Sequence, residues 1–151
     1  MSEISKDPLC LDHQLCFPLY ACAKEVVRQY RKPLSPLGLT YTQYIVMMVL
    51  WEDGSTTERE LGRRVSLDSG TLAPLLKRLE RQGLIHRERP SADERTLRVS
   101  LTEAGAALRH QAQSVPDAMR ECIPLPEDEL FHLRDLLKRA LSGMNARNQE
   151  E

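Results

Sequence analysis

Apolar and polar positions along the chain change period several times, and each change marks an element. Leu15, Leu19, Ala23, Val26 and Val27 recur at three- and four-residue spacing, the stripe of an amphipathic helix. Asp12 is its candidate N-cap, and the prolines and glycine of "KPLSPLGL" break it after about Lys32. "TYTQYIVMMVLWED" is mostly apolar and follows a capping Thr40, which predicts a buried helix ending near Asp53 and Gly54. "TTERELGRRV" opens on a capping box, Thr57 and Glu60 satisfying each other's exposed amides, and predicts a short helix with Leu61 and Val65 inward. In "LDSGTLAPLLKRLERQGLI" the buried stripe is Leu72, Leu75, Leu76 and Leu79, with Asp68 as N-cap and Gly83 as C-cap. Pro74 cannot donate to the Gly70 carbonyl, so a bend or a weakened first turn is expected there.

The period then drops to two. Short strands at about 84–89 and 96–101 flank a turn rich in Pro, Ser, Ala and Asp. Thr102 caps a helix through "EAGAALRHQAQSV", interrupted at Pro116. "PEDELFHLRDLLKRAL" forms a last amphipathic helix, with acids in its first turn and Lys138 and Arg139 in its last, as the helix dipole favours. The order predicts a mainly α chain with a small β-hairpin wing. A winged helix-turn-helix at about 38–101 lies within a single domain, 1–151, between terminal helices at about 12–33 and 103–146. Their apolar stripes are suited to a homodimer.

Composition adds a compartment. The 151 residues are 41% hydrophobic and 28% charged, with a polar start and no run long enough to span a bilayer. That predicts a cytoplasmic protein without a membrane partner, whose thiols are kept reduced, so its four cysteines need a reading other than a disulfide scaffold. Charge is segregated. Arg59 to Arg98 holds ten basic against six acidic side chains, a net +4, which leaves −5 for the rest of a chain of formal charge −1. A basic middle is a modest footprint for a polyanion.

The helix opening at Asp68 carries Ser69, Gly70 and Thr71 where a recognition helix meets base edges in the major groove. Lys77 and Arg78, about two turns on, suit flanking phosphates. At the hairpin tip Arg95 is a candidate minor-groove finger, its guanidinium held by Asp93. Singly, Ser69 and Thr71 read as ordinary helix-start residues, and Asp93 with Arg95 as a surface salt bridge. Together, in this order, they favour double-stranded DNA.

Cys10, Cys16 and Cys22 lie six residues apart. In a helix each step turns by about 240° and rises about 9 Å, so the three face different ways and no two can pair within one straight helix. The same geometry disfavours a zinc site of Cys10, His13 and Cys16, unless 10–13 is an extended lead-in. Cys22, within "YACAK", reads as a small buried hydrophobe, and Cys10 has no evident role. Tyr20 shares the face of Cys16 one turn on. Tyr30 returns to within about 40° of that face but lies about 21 Å along the axis, so in a two-fold dimer it can reach only the partner's Cys16. A phenol donating to sulfur stabilises the thiolate, the form that attacks a peroxide.

"QLCFPLYA" (14–21), "GLTYTQYIVMMVLWE" (38–52), "LDSGTLAPLLKRLERQGLI" (67–85) and "DERTLRVSLTEAG" (93–105) resemble the MarR family of winged-helix transcription regulators, and within it the organic-hydroperoxide-sensing branch. The resemblance implies a homodimer that binds a pseudo-palindromic operator and usually represses, with no enzymatic turnover, cofactor or metal. It implies that Ser69 and Thr71 read the groove and Arg95 the minor groove. It implies that Cys16 reacts with organic hydroperoxide, the inducer, among Tyr20, Tyr30 and Tyr41, some of them from the other subunit. Some members carry a resolving cysteine near the start of the last helix, the region of Cys122, and form an intersubunit disulfide; others use a small free thiol, and Cys22 is a rival. Three other readings stay open: release by a non-covalent phenolic ligand, a thiol peroxidase, and a structural DNA-binding protein.

Overall fold

The first helix starts later than the Asp12 cap predicts. In the computed structural model, which describes residues 7–91 and 96–148, α1 spans Cys16–Leu34. Asp12 does not cap it but lies in a preceding 3-10 turn, Leu11–His13. Pro18 explains the shift. A helix running from Asp12 would hold Pro18 in its interior, its ring against the Gln14 carbonyl. A start at Cys16 puts it in the first turn, where a missing N–H costs nothing. The Gln14 side chain organises the lead-in by donating to the carbonyls of Pro8 (2.7 Å) and Cys10 (3.3 Å).

A 3-10 turn, Ser35–Leu37, and Gly38 at φ 67° lead to α2, Tyr41–Asp53. Thr40 and Gln43 form a full capping box, and the buried Tyr44, Val46, Met47, Val49 and Leu50 make α2 the central helix of the core. Three residues after it, Ser55–Thr57, form a strand the sequence did not announce, β1. With β2 (Ile85–Glu88) and β3 (Arg98–Leu101) it makes an antiparallel sheet of order β1-β3-β2, so the wing is a hairpin with a third strand laid on β3. Thr56 pairs with Val99, and both are buried.

Only half of the second capping box forms. Thr57 accepts from the Glu60 amide at 3.1 Å, but Thr57 ends β1 and the Glu60 carboxylate turns to Arg63. α3 spans Glu58–Val65, and α4, Ser69–Arg81, follows after a turn through Ser66 at φ 54°. Asp68 is the N-cap of α4, which runs unbroken past Pro74. It ends at Gln82 with Gly83 just beyond at φ 73°, the Leu84 amide reaching the Leu79 carbonyl and the Gly83 amide that of Glu80.

α5, Glu103–Ala112, is capped by Thr102 but is shorter than expected. Pro116 opens a separate turn, α6 (Val115–Ala118), rather than interrupting a long helix, because proline fits a first turn. Residues 119–126, between α6 and the last helix, are not helical. α7 runs Glu127–Arg147, which leaves Lys138 and Arg139 in mid-helix.

The chain divides into two compact units, Met1–Met119 and Arg120–Glu151. In the first, Leu34, Met47, Leu50, Leu61, Leu72, Leu76, Leu79, Ile85 and Val99 are fully buried. The apolar stripe of α1 is different: Leu15, Leu19 and Val27 are exposed. In the second unit α7 buries no residue and exposes Phe131, Leu136, Leu137, Leu141 and Met144. Among the described residues no helix is long and apolar enough to cross a membrane.

Candidate nucleic-acid interface and thiol site

Ser69 and Thr71 are both exposed at the start of α4. Asp68 accepts from the Thr71 amide at 2.8 Å and from the Thr71 hydroxyl at 3.0 Å. These bonds, the backbone one first, hold the Asp68 carboxyl below the usual carboxylate range. With its proton committed to Asp68, the Thr71 hydroxyl offers outward only lone pairs and a methyl group. That combination suits a base-edge amino donor or a thymine methyl better than a phosphate.

Lys77 and Arg78 are exposed farther along α4. Arg78 lines a cleft of about 230 Å³ with Thr40, Thr42 and Thr71, so the start of α2 joins this surface. A larger cleft of about 500 Å³ lies on the other flank, between α3, the start of α4 and the base of the wing. Asp93 and Arg95 fall outside the described residues. Three ion pairs fix the frame. Arg87 on β2 reaches Glu80 of α4 at 3.1 Å, and Arg64 of α3 clasps Glu52 (2.7 Å) and Asp53 at the end of α2.

Cys16 is the first residue of α1 and is exposed, with no side-chain cap from Leu15. Tyr20, one turn on, is exposed too, and the Lys24 ammonium lies over its ring, 5.1 Å from the centroid. Tyr30 belongs to a different group. Its ring packs on Tyr41 (centroids 4.7 Å apart) and Tyr44 (5.8 Å), and Tyr44 meets Trp51 edge-on at 6.3 Å. Burial pushes the Tyr41 and Tyr44 phenols up, which keeps them protonated. The fold thus joins Tyr30 to Tyr41 and leaves Cys16 with Tyr20, about 21 Å away along the same helix. Tyr44 and Trp51 were hidden in a stretch that reads as plain core; the three-residue spacing of Tyr41 and Tyr44 was the one available signal.

Cys22, expected to be buried, is exposed, because α1 buries only its C-terminal end, at Leu34. Cys122 is half-buried within 119–126, and Cys10 is half-buried ahead of the 3-10 turn. Among the described residues no three His, Cys, Asp or Glu side chains are grouped to hold a metal ion.

Residues 29–111 match the family model for the transcriptional regulator SarA/Rot. The chain is 40% identical, over 94% of its length and 97% of the relative's, to the organic hydroperoxide resistance transcriptional regulator of Bacillus subtilis. Among solved structures it matches AbfR, a protein of Staphylococcus epidermidis. Reduced AbfR bound to DNA is 38% identical at a TM-score of 0.71, over 89% of this chain and 94% of that one. A disulfide-formed AbfR is 37% identical at 0.62, over 87% and 92%.

Proposed function

Since the chain belongs to the MarR/SarA family of winged-helix, DNA-binding transcription regulators, we propose that it is a homodimeric repressor released from its operator when an organic hydroperoxide oxidises Cys16. The observation that carries this reading is the split site. Cys16 stands exposed at one end of α1 while Tyr30, packed on Tyr41, sits about 21 Å along it. One protomer leaves that site unfinished, and antiparallel pairing of two α1 helices across a two-fold axis completes it. The exposed apolar faces of α1 and α7 supply the surface such a dimer buries. The relatives add weight: one is named for organic hydroperoxide resistance, and AbfR has been solved both reduced on DNA and in a disulfide form.

The chemistry balances in two steps. The Cys16 thiolate attacks the terminal oxygen of the hydroperoxide, the O–O bond breaks, and the alcohol leaves after taking a proton, so sulfur is oxidised to sulfenic acid as the peroxide is reduced. The Cys122 thiol of the partner then attacks the Cys16 sulfur and water leaves, which gives an intersubunit disulfide; Cys22 or a small free thiol is the competing resolver. On DNA, the start of α4 enters the major groove with Ser69 and Thr71 at base edges, Lys77 and Arg78 meet phosphates, and Arg95, steadied by Asp93, enters the minor groove. Oxidation repacks the paired helices so that the two α4 helices no longer match half-sites about one DNA turn apart.

Fluorescence anisotropy on the DNA just upstream of the protein's own gene tests this. Wild type loses binding after a small excess of organic hydroperoxide and regains it with dithiothreitol, while Cys16→Ser stays bound. If both stay bound, Cys16 is not the sensor. Non-reducing gels that show no Cys122-dependent covalent dimer sink the Cys122 step alone. A second reading, release by a phenolic acid without oxidation, is favoured by a cleft of about 740 Å³ between α1 and α6, where Arg31 and Lys32 stand beside Pro33 and Met119. It predicts release without oxidant that survives Cys16→Ser.

A further inference from the structure

The cleft between α3, the start of α4 and the wing base is lined by three guanidinium groups from both sides, Arg59 and Arg63 on α3 and Arg89 just past β2. All three are exposed. Two carboxylates temper them. Glu58 lines the cleft, and Glu60 holds Arg63 through a pair whose arginine side chain is 70% exposed. Ser69 and Thr96 add hydroxyls on the same walls. Nothing in the core requires arginines here, since the floor is already closed by Leu67 and Leu72.

We propose that this cleft seats the DNA strand that separates the major from the minor groove, with Arg59, Arg63 and Arg89 gripping its phosphates. The inference rests on the docking mode given above and assigns it three further contacts. Adjacent grooves of B-DNA are divided by a single sugar–phosphate strand. With the start of α4 in the major groove and the β2–β3 hairpin directed to the neighbouring minor groove, that strand has to cross the space between them. The space is this cleft. Arg63 exchanges the Glu60 carboxylate for a phosphate, an acceptor of the same geometry, whereas Arg59 and Arg89 have no ion pair to break among the described residues.

Phosphate contacts are read by salt. Each one lost shallows the dependence of log binding constant on log salt by about 0.9. The full-length protein is titrated by fluorescence anisotropy against the duplex upstream of its own gene and a random duplex of equal length, at a series of salt concentrations. Circular dichroism checks that each variant is folded. The double variant Arg59→Gln/Arg89→Gln is expected to weaken binding to both duplexes by the same factor and to shallow the slope by about 2. An unchanged slope, or a loss confined to the upstream duplex, overturns the assignment. Ser69→Ala/Thr71→Ala separates the two layers of the argument. If it keeps wild-type preference for the upstream duplex, the docking mode fails and the cleft assignment falls with it. If it loses that preference while the arginine variant keeps the wild-type slope, only the cleft assignment fails.

Discussion

Replacing Gly105 by alanine tests how α5 is seated on the wing. Gly105 is in the first turn of α5; its amide donates to Thr102 Oγ1 at 2.9 Å, and its carbonyl accepts from Trp51 Nε1 at 2.8 Å. A Cβ built there falls 2.0 Å from the Leu84 carbonyl oxygen, 2.9 Å from its carbon and 3.3 Å from Leu101 Cδ2, where ordinary contact begins near 3.4 Å. The obstacle is backbone, already fixed by the Thr102 amide at 3.1 Å, so it cannot rotate aside and α5 must recede by more than an ångström. Overpacking of this kind costs about 3 kcal/mol, the upper end of its usual range, because backbone must move. The stretched Trp51 bond costs about 1 kcal/mol more, and alanine's better helix propensity returns about 1 kcal/mol. The net is a loss of about 3 kcal/mol, or a fall in Tm of roughly 6–12 °C for a chain this long.

Trp51 is the one tryptophan in the chain, so its fluorescence reports unfolding from the contact itself. Urea titration at fixed protomer concentration, which keeps dimerisation from shifting the midpoint, should show the loss in Gly105→Ala, with Trp51→Phe alone costing about 1 kcal/mol. An unchanged or raised midpoint for Gly105→Ala would show that helix propensity outweighs the clash and refute the close seating of α5 on Leu84.

Asp68→Ala uncaps α4 and frees the Thr71 hydroxyl, so operator affinity and Tm should both fall. Because folding lowers the Asp68 pKa, the wild-type advantage is full above the unfolded value near ~3.9 and disappears as pH drops through the lower folded value; a wild-type advantage in melting that is unchanged across that window would contradict the cap. Phenolate absorbance should show two late-titrating tyrosines, one removed by Tyr41→Phe and one by Tyr44→Phe. Burial raises both pKa values, so their stabilising effect holds below about 10 and fades above it; four tyrosines titrating together would count against the packed cluster. If α7 carries the interface of the proposed dimer, Leu137→Glu on its exposed face should leave helicity intact and yield monomers in sedimentation equilibrium; a persistent dimer would place the interface elsewhere.

Elements with both a cap and a long period were legible: Thr40 opens α2, Asp68 opens α4 and Thr102 opens α5 where the sequence put them. The start of α1 was misread because Asp12 offers a cap ahead of the point that Pro18 permits. β1 was invisible, since three polar residues carry no period and pair only because β3 lies beside them. The arginine cleft was equally hidden: Arg59 and Arg89 are thirty positions apart and meet only after the wing folds against α3. The placement of Tyr20 one turn from Cys16 on α1 follows from local spacing, whereas the packing of Tyr30 on Tyr41 depends on the turn at Gly38 and had no local signature.

α2 carries the consequence for the oxidised state. Its first turn packs on α1 through Tyr41 and Tyr44 against Tyr30. Its last turn holds α5 through Trp51 and α3 through the clasp of Arg64 on Glu52 and Asp53. A helix of thirteen residues is about 20 Å long and stiff on that scale. In the proposed mechanism a shift of α1 is therefore passed on as rotation of the winged unit, with α3 and α4 carried along intact, because the core that joins them is fully buried and has no slack for partial melting. Oxidised wild type should accordingly keep its far-ultraviolet circular dichroism and its Trp51 emission while losing operator affinity. If helicity falls in step with affinity, the switch works by unfolding α4, and α2 is not the lever.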